Sequence, residues 1–196
     1  MKKFELISEF VTNVFGKKLF RIKALVSFGD VSAGELGGFV EKEENLSNNG
    51  NAWVAGNARV AGDARVSGDA RVAGNAQVAG DARVSGNAWV SGDALVAGNA
   101  QVSDNARVAG NAQVAGDADF SVVTGFGRCF RATTFFRCKD KILRVQCGCF
   151  YGDLAKFREI VKKTHGDSKY AKEYLAIADL MELHFSDEEE NQEADK

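Results

Sequence analysis

The charge balance of this 196-residue chain excludes several kinds of partner before any pattern is considered. Its 25 lysines and arginines nearly balance its 27 aspartates and glutamates, and the formal charge of −2 excludes both a polycationic nucleic-acid binder and a strongly acidic mimic of DNA. The length fits one domain with small terminal elaborations. No segment approaches the roughly 18 consecutive apolar residues of a membrane span, so we expect a cytoplasmic protein with no membrane partner.

Residues 1–49 are predicted to form an N-terminal hairpin followed by an irregular opening coil. Residues 3–12 and 19–28 alternate between apolar and polar side chains on either side of a turn at residues 16–18, which is typical of a β-hairpin. Phe15 is expected to close one of its strands. Large aromatic side chains in this segment suit a cover for the exposed end of a sheet.

Residues 50–121 repeat the hexapeptide G-[ND]-A-x-V-[AS] twelve times, with one lapse where Asp104 replaces the glycine. The A-x-V part predicts a short strand with alanine and valine on one face and x pointing outward, and [AS]-G-[ND] predicts a corner. Each hexad thus forms one side of a coil, and three sides close a coil of 18 residues. We expect about four coils, stacked at roughly 4.8 Å by parallel strand pairing. Phe120 takes the last valine position, and two extra residues between Leu46 and Val54 predict an irregular first coil.

Residues 122–186 are predicted to form a second hairpin and two helices that cover the other end of the repeat. The hairpin spans residues 133–150 and turns at residues 139–141. Asp153 can cap the N-terminus of the first helix, and Gly166 suits its C-terminal end.

The second helix is predicted from about Ser168 to Phe185, because apolar residues recur there at helical spacing. This apolar stripe consists of Tyr170, Tyr174, Ile177, Met181 and Phe185. Residues 187–196 contain six acidic residues and one lysine, a composition that predicts a disordered acidic tail.

The repeat also resembles that of a known group of proteins. The run VSAGELGGFVEKEENLSNNGNAWV, the GNARV and GDARV units that follow it, and the later CGCFYGDLAKF and THGDSKYAKEYL are similar to bacterial and phage hexapeptide-repeat proteins. The resemblance implies a left-handed parallel β-helix, which in such proteins often forms trimers. It does not imply one activity, because these folds include acyltransferases, γ-class carbonic anhydrases and proteins without an assigned activity. No functional residues are carried over from it.

Histidine placement argues against the enzymes of that fold. A hexapeptide acyltransferase needs a histidine base near the coils, and usually a loop extruded from them. The repeat has neither, and the two histidines, His165 and His184, lie in the C-terminal helical segment. A three-histidine metal site therefore cannot be assembled either. We expect no catalytic residue and no cofactor.

The outward x residues are the variable part of the repeat, and positions three hexads apart stack on one side of the coil. The first face combines indole and guanidinium groups, which can stack in cation–π contacts worth roughly 0.5–1 kcal/mol each. Its members are Trp53, Arg71, Trp89 and Arg107. The second face has Arg59, Gln77, Leu95 and Gln113, and the third has Arg65, Arg83, Gln101 and Asp119. The first face alone concentrates residue types enriched at binding hot spots.

Three interpretations of this Trp/Arg ladder are open. It can simply stabilise its own sheet, or it can pack subunits together in a homo-oligomer, a trimer or a dimer. It can also bind a foreign partner, where a nucleobase would stack on an indole as readily as a protein would pack on it.

The four cysteines offer a weaker hypothesis of a zinc site. Cys138 would lie roughly 16 Å along the hairpin from Cys147, too far for a shared metal. Cys129, Cys147, Cys149 and His165 could form a Cys₃His site, although the C-x-C spacing is not the usual one. The alternative is that the cysteines pack as small hydrophobic residues, and we expect no bound metal.

These observations favour a non-catalytic binding protein over an enzyme. By resemblance it is of phage or prophage type, and it would inhibit host defence in the host cell cytoplasm by sequestering a host defence protein or a small signalling nucleotide. An extended nucleic-acid duplex is not expected as a partner, because arginines and aspartates nearly balance within the repeat. The alternatives are an acyltransferase that uses clefts between subunits, and a purely structural assembly element.

Overall fold

The fold was obtained as a computed structural model that describes residues 2–116, 119–138 and 140–186. It consists of an N-terminal antiparallel cap, a parallel β-solenoid of about four turns, a C-terminal antiparallel sheet and two helices. The prediction of a mainly β protein built on a parallel β-helix with these two caps is confirmed. The predicted acidic tail, residues 187–196, lies outside the described residues.

The N-terminal cap is a hairpin whose third strand leads into the solenoid. Strands β1 (Phe4–Thr12) and β2 (Lys18–Ala24) pair antiparallel, and β3 (Leu36–Val40) pairs antiparallel with β2 and parallel with the solenoid. The hairpin prediction is confirmed, but the expectation for Phe15 is wrong. Its side chain is 84% exposed, because the Asn13 carboxamide accepts hydrogen bonds from the backbone N–H of Phe15 and of Lys17, and these bonds close the turn early.

The solenoid has two-residue strands, each made of an outward x residue and a buried valine. They are β4 to β14, at Trp53–Val54, Arg59–Val60, Arg65–Val66, Arg71–Val72, Gln77–Val78, Arg83–Val84, Trp89–Val90, Leu95–Val96, Gln101–Val102, Arg107–Val108 and Gln113–Val114. Each pairs in parallel with the equivalent strand of the next coil, as in Val72 with Val90. Three sheets result, with the orders β3-β5-β8-β11-β14, β4-β7-β10-β13 and β6-β9-β12.

The interior of the solenoid contains the alanine and the valine of each A-x-V unit, which are at most 1% exposed from Ala52 to Val114. The corner glycines adopt positive φ, as at Gly74 with a φ of 68°. This conformation lets the backbone N–H that follows the glycine donate a hydrogen bond to the next rung, as Asn75 N–H donates to Gly92 O at 2.9 Å. Asp104 adopts the same conformation, with a φ of 58°, and an aspartate tolerates it better than most residues.

The first coil is longer than the others, and side chains close its open edge. Val40 pairs with Val60, and Leu46 pairs with Val66. The two members of each pair are farther apart in the sequence than Val54 and Val72, which pair in the next coil. A short 3₁₀ helix at Glu43–Asn45 precedes Leu46. The buried Asn45 carboxamide donates to Gly62 O at 3.0 Å and to Ala64 O at 2.8 Å. In later coils the backbone N–H groups of the preceding rung donate to the equivalent carbonyls, and at the first coil the carboxamide takes their place. The Lys3 ammonium does the same for Gly50 O and Ala52 O.

The C-terminal sheet has four antiparallel strands in the order β15 (Phe120–Val123), β16 (Thr133–Arg137), β17 (Leu143–Cys147) and β18 (Phe150–Asp153). The predicted hairpin is its β16–β17 pair, closed by Cys138 N–H donating to Ile142 O. Phe120 does not take a valine position. It begins β15, because the Asp119 carboxylate accepts from the backbone N–H of Ala115 and of Gly116 and turns the chain away from the coil. Asp119 is consequently not an outward rung residue of the third face.

Helices α1 (Leu154–His165) and α2 (Lys169–His184) pack on this sheet and form a second core with Phe135 and Val145. The capping predictions are confirmed. The Asp153 carboxylate accepts from Lys156 N–H at 2.8 Å, and Gly166 ends α1 with a φ of 55°. The predicted stripe on α2 is buried except for Tyr170, which lies in the first turn. Neither helix has the length and apolar character needed to cross a membrane.

Candidate functional site

The four residues predicted to form the Trp/Arg ladder lie on consecutive rungs of one sheet. Trp53 pairs with Arg71, Arg71 with Trp89, and Trp89 with Arg107, in the strand order β4-β7-β10-β13. The valine at the next position is buried in every rung, so the x side chains project outward from the coil.

The N-terminal half of the ladder is covered within the chain. Trp53 is 1% exposed, and the ring of Phe28 packs edge-on against it, with 5.5 Å between ring centroids. Its indole Nε1 has no hydrogen-bond partner in the described part of the chain. Arg71 forms an ion pair with Asp30, from the same loop as Phe28. The segment between β2 and β3 therefore occupies these two rungs, and their indole and guanidinium groups contribute to packing within the chain.

The C-terminal half of the ladder is open. Trp89 is 43% exposed, and the guanidinium carbon of Arg107 lies 5.6 Å from the centroid of its ring. The backbone N–H of Arg107 donates to Thr134 Oγ1 at 3.0 Å, which joins the last rung of this face to the C-terminal sheet. Within the described ranges, no carboxylate forms an ion pair with Arg107.

A cavity of about 390 Å³ lies where this face meets the C-terminal sheet. Its lining consists of Asn105, Arg107, Arg131, Ala132 and Gly148, with no acidic residue among them. Arg131 lies against the turn that contains Gly148, and a Cβ at that glycine would come within 2.6 Å of Arg131 Nη1. Arg131 was not singled out from the sequence, because it lies outside the repeat and no spacing relates it to Arg107.

The four candidate zinc ligands line a second cavity, of about 230 Å³, between the C-terminal sheet and the helices. Cys129, Cys147, Cys149 and His165 all contribute to its wall, together with Arg128 and Arg131. The residues of the described ranges contain no group of three or more histidine, cysteine or acidic side chains placed to hold a metal ion.

Two of the candidate zinc ligands, Cys147 and His165, contact other side chains around this second cavity. Thr133 Oγ1 donates to Cys147 Sγ at 3.2 Å, and the ring of His165 stacks on that of Tyr174, with 5.8 Å between centroids. Burial, with a smaller contribution from Cys147, raises the pKa of Tyr174 to about 12. Tyr174 belongs to the second core and Cys147 packs against it, whereas Cys129 and Cys149 are exposed thiols.

The third face forms a groove that was not predicted from the sequence. It has a volume of about 710 Å³, and Arg65 and Arg83 lie in register along it. Its corner positions carry a row of serines, namely Ser47, Ser67, Ser85 and Ser103. The sequence does contain a signal for this row, because the [AS] position is serine in every third hexad, at Ser67, Ser85 and Ser103. No aromatic side chain lines this groove, and Glu43 and Glu44 lie at one end of it.

The fold and these surfaces define a parallel β-solenoid protein with two covered ends. Residues 64–80, 76–92 and 100–116 match the family model of the YdcK beta solenoid repeat, so the coil is similar to that repeat over its central and last turns. A comparison with curated proteins finds no match.

Proposed function

We propose that this chain is a non-catalytic binding protein of phage or prophage type, which sequesters a host defence protein or a small signalling nucleotide in the cytoplasm of the host. The observation that carries the proposal is the exposed Trp89 indole beside Arg107, on a rung that borders a cavity without acidic residues. Tryptophan and arginine are the residue types most enriched at binding hot spots.

The rigidity of the scaffold supports this use of the first face. Trp89 and Arg107 sit on adjacent hydrogen-bonded rungs, with Trp89 N–H donating to Ala106 O at 2.9 Å. A backbone that is already ordered loses little conformational freedom when a partner binds, so more of the contact energy appears as affinity. A fully folded solenoid can therefore present this pair without rearranging its core.

The absence of a histidine from the repeat favours binding over acyl transfer. Both histidines are in or at the end of the C-terminal helices, and His165 is stacked on Tyr174. A measurement of acetyl-CoA binding by calorimetry tests this point. Acetyl-CoA contains an adenine nucleotide that the proposed site could itself bind, so the titration is repeated with Trp89→Ala. A clear binding signal that persists in this variant would overturn the non-catalytic proposal in favour of an acyltransferase.

The central experiment is affinity capture from host lysate, with mass spectrometry of both proteins and nucleotides, on wild type and two variants. Trp89→Ala removes the exposed indole, and Leu95→Ala is the matched control, an outward apolar residue on the next strand but on the second face. We expect the captured partner to be lost with Trp89→Ala and kept with Leu95→Ala. Equal capture by both variants would contradict the proposal.

Light scattering on the same proteins separates a partner site from a subunit interface. Self-association is part of the proposal, because the resemblance implies a trimer, and a dimer is the alternative. We expect the subunit number to be the same in wild type and in Trp89→Ala. A change in that number would assign the ladder to subunit packing and would remove it as a site for a foreign partner.

A further inference from the structure

Three arginines line two adjacent cavities where the solenoid meets the C-terminal cap. Arg107 and Arg131 line the cavity of about 390 Å³, and Arg131 and Arg128 line the adjacent cavity of about 230 Å³. None of the three forms an ion pair with another described residue. Neither cavity has an acidic residue in its wall. The Glu173 carboxylate accepts a hydrogen bond from Gly127 N–H, beside Arg128, but it does not line either cavity. Guanidinium groups without an ion-pair partner create a positive potential that an anion would relieve.

From this geometry we infer that the junction binds the phosphate of a nucleoside phosphate, whose base stacks on the exposed part of Trp89. The inference rests on the proposed function, since it uses the same open half of the first face, and it specifies the ligand. Arg107 links the two parts of the site, because its guanidinium lies 5.6 Å from the Trp89 ring centroid and also lines the cavity with Arg131.

The phosphate end of this site has suitable donors on an ordered backbone. Arginine presents planar N–H groups that bind phosphate oxygens in pairs, and Asn105 adds a carboxamide. The backbone N–H of Arg107 donates to Thr134 Oγ1, so the fold sets the distance between this rung and the C-terminal cap. Gly148, with a φ of 58°, leaves the space that the guanidinium of Arg131 occupies.

The aromatic end distinguishes a nucleoside phosphate from other anions. Trp89 keeps 43% of its surface exposed although Arg107 is stacked near it, so a planar base has an indole surface to contact. The cavity volume lies within the range of sites for small ligands, roughly 300–1,000 Å³. The groove on the third face has two arginines but no aromatic residue in its wall and two glutamates at one end, which makes it the poorer site for such a ligand.

The test is calorimetric titration of the full chain with the four ribonucleoside 5′-monophosphates, with inorganic phosphate, and with a ten-nucleotide single-stranded oligonucleotide. We expect at least one monophosphate to bind more tightly than inorganic phosphate. Arg131→Gln should weaken that binding at least tenfold. Trp89→Ala should weaken nucleotide binding roughly five- to a hundredfold and leave inorganic phosphate binding unchanged, because stacking contributes only to the base.

Arg83→Gln is the control variant, since it removes an exposed arginine from the third face. Its nucleotide affinity should equal that of wild type. Titration with the oligonucleotide distinguishes a site for a free nucleotide from a site for the end of a single strand. If the natural ligand is a single strand, the oligonucleotide should bind more tightly than the monophosphate, and its affinity should fall steeply with salt.

Absence of monophosphate and oligonucleotide binding up to millimolar concentration, or binding that Arg131→Gln leaves unchanged, would overturn the inference. Failure here is distinct from failure of the proposed function. If nucleotides do not bind but a protein is still captured through Trp89, the binding function stands and the ligand class is wrong.

Discussion

The corner glycines allow a matched test of how tightly successive coils are stacked. Gly56 and Gly92 lie on the same edge of the solenoid, with φ angles of 64° and 71°. A Cβ on Gly56 would approach Gly74 O no closer than 3.4 Å, an ordinary contact, whereas a Cβ on Gly92 would lie 2.9 Å from both N and O of Gly110. Substitution by alanine therefore imposes the same backbone conformation at both positions, but only at Gly92 does it force two rungs apart.

The expected magnitudes follow from these contacts. A Cβ in the left-handed region costs about 1–2 kcal/mol, and the reduced freedom of the unfolded chain returns about 0.4–1 kcal/mol. Gly56→Ala should therefore lower the free energy of unfolding by about 1 kcal/mol. Gly92→Ala carries a further overpacking cost of about 1–3 kcal/mol, which gives a total of about 2–4 kcal/mol.

Urea unfolding followed by far-ultraviolet circular dichroism measures both variants against wild type. The difference between them isolates the contact between rungs, because the φ contribution cancels. Equal destabilisation of the two variants, or a smaller loss at Gly92, would refute the stacking geometry at this edge.

Three further stability predictions address the core, the first coil and the C-terminal cap. Val72→Ala should lower the free energy of unfolding by about 2–3 kcal/mol in urea melts, because it removes two buried methyl groups and leaves a cavity. Gln77 is exposed, so Gln77→Ala should change the free energy of unfolding by less than about 0.5 kcal/mol. Burial lowers the pKa of Lys3 from 10.5 to about 8, so the folded state binds fewer protons than the unfolded state between these values. The free energy of unfolding of wild type minus that of Lys3→Met should therefore rise as the pH increases from 8 to 10.5, as measured in parallel melts. A fall in this difference over the same range would contradict the burial of the Lys3 ammonium. Asp153→Ala should cost about 1 kcal/mol in thermal melts because α1 loses its cap, whereas Asp153→Asn should retain most of it.

The sequence predicted the arrangement of the solenoid accurately because its periodicity is local. The regular recurrence of valine in each hexad determines which side chains point inward, and a coil of three hexads determines which x positions share a face. Trp89 and Arg107 could therefore be placed on neighbouring rungs without any knowledge of long-range contacts. The capping residues Asp153 and Gly166 were predictable for a similar reason, since each acts on backbone groups within four residues of itself.

The covering of Trp53 could not be predicted, because it depends on a loop outside the repeat. Phe28 and Asp30 reach the first two rungs only through the antiparallel turn from β2 to β3, and no periodic pattern relates them to Trp53 or Arg71. The same reasoning explains why Arg131 was missed as a partner of Arg107. The Asp119 carboxylate accepts from the backbone N–H of Ala115 and of Gly116, and Phe120 begins a strand of the C-terminal sheet where the sequence still suggests a valine position.

The separation of core from surface in this fold makes the candidate site testable without damage to the scaffold. Coil stability depends on the buried alanines and valines and on the corner glycines, whereas Trp89 and Arg131 project from the surface and their loss opens no cavity in the solenoid core. Variants at Trp89 and Arg131 should therefore unfold close to wild type and change binding, while Gly92→Ala should change unfolding first. If the Trp89 and Arg131 variants instead lost stability together, the open half of the ladder would be a structural brace between coil and cap, and the exposed indole would need no ligand to explain it.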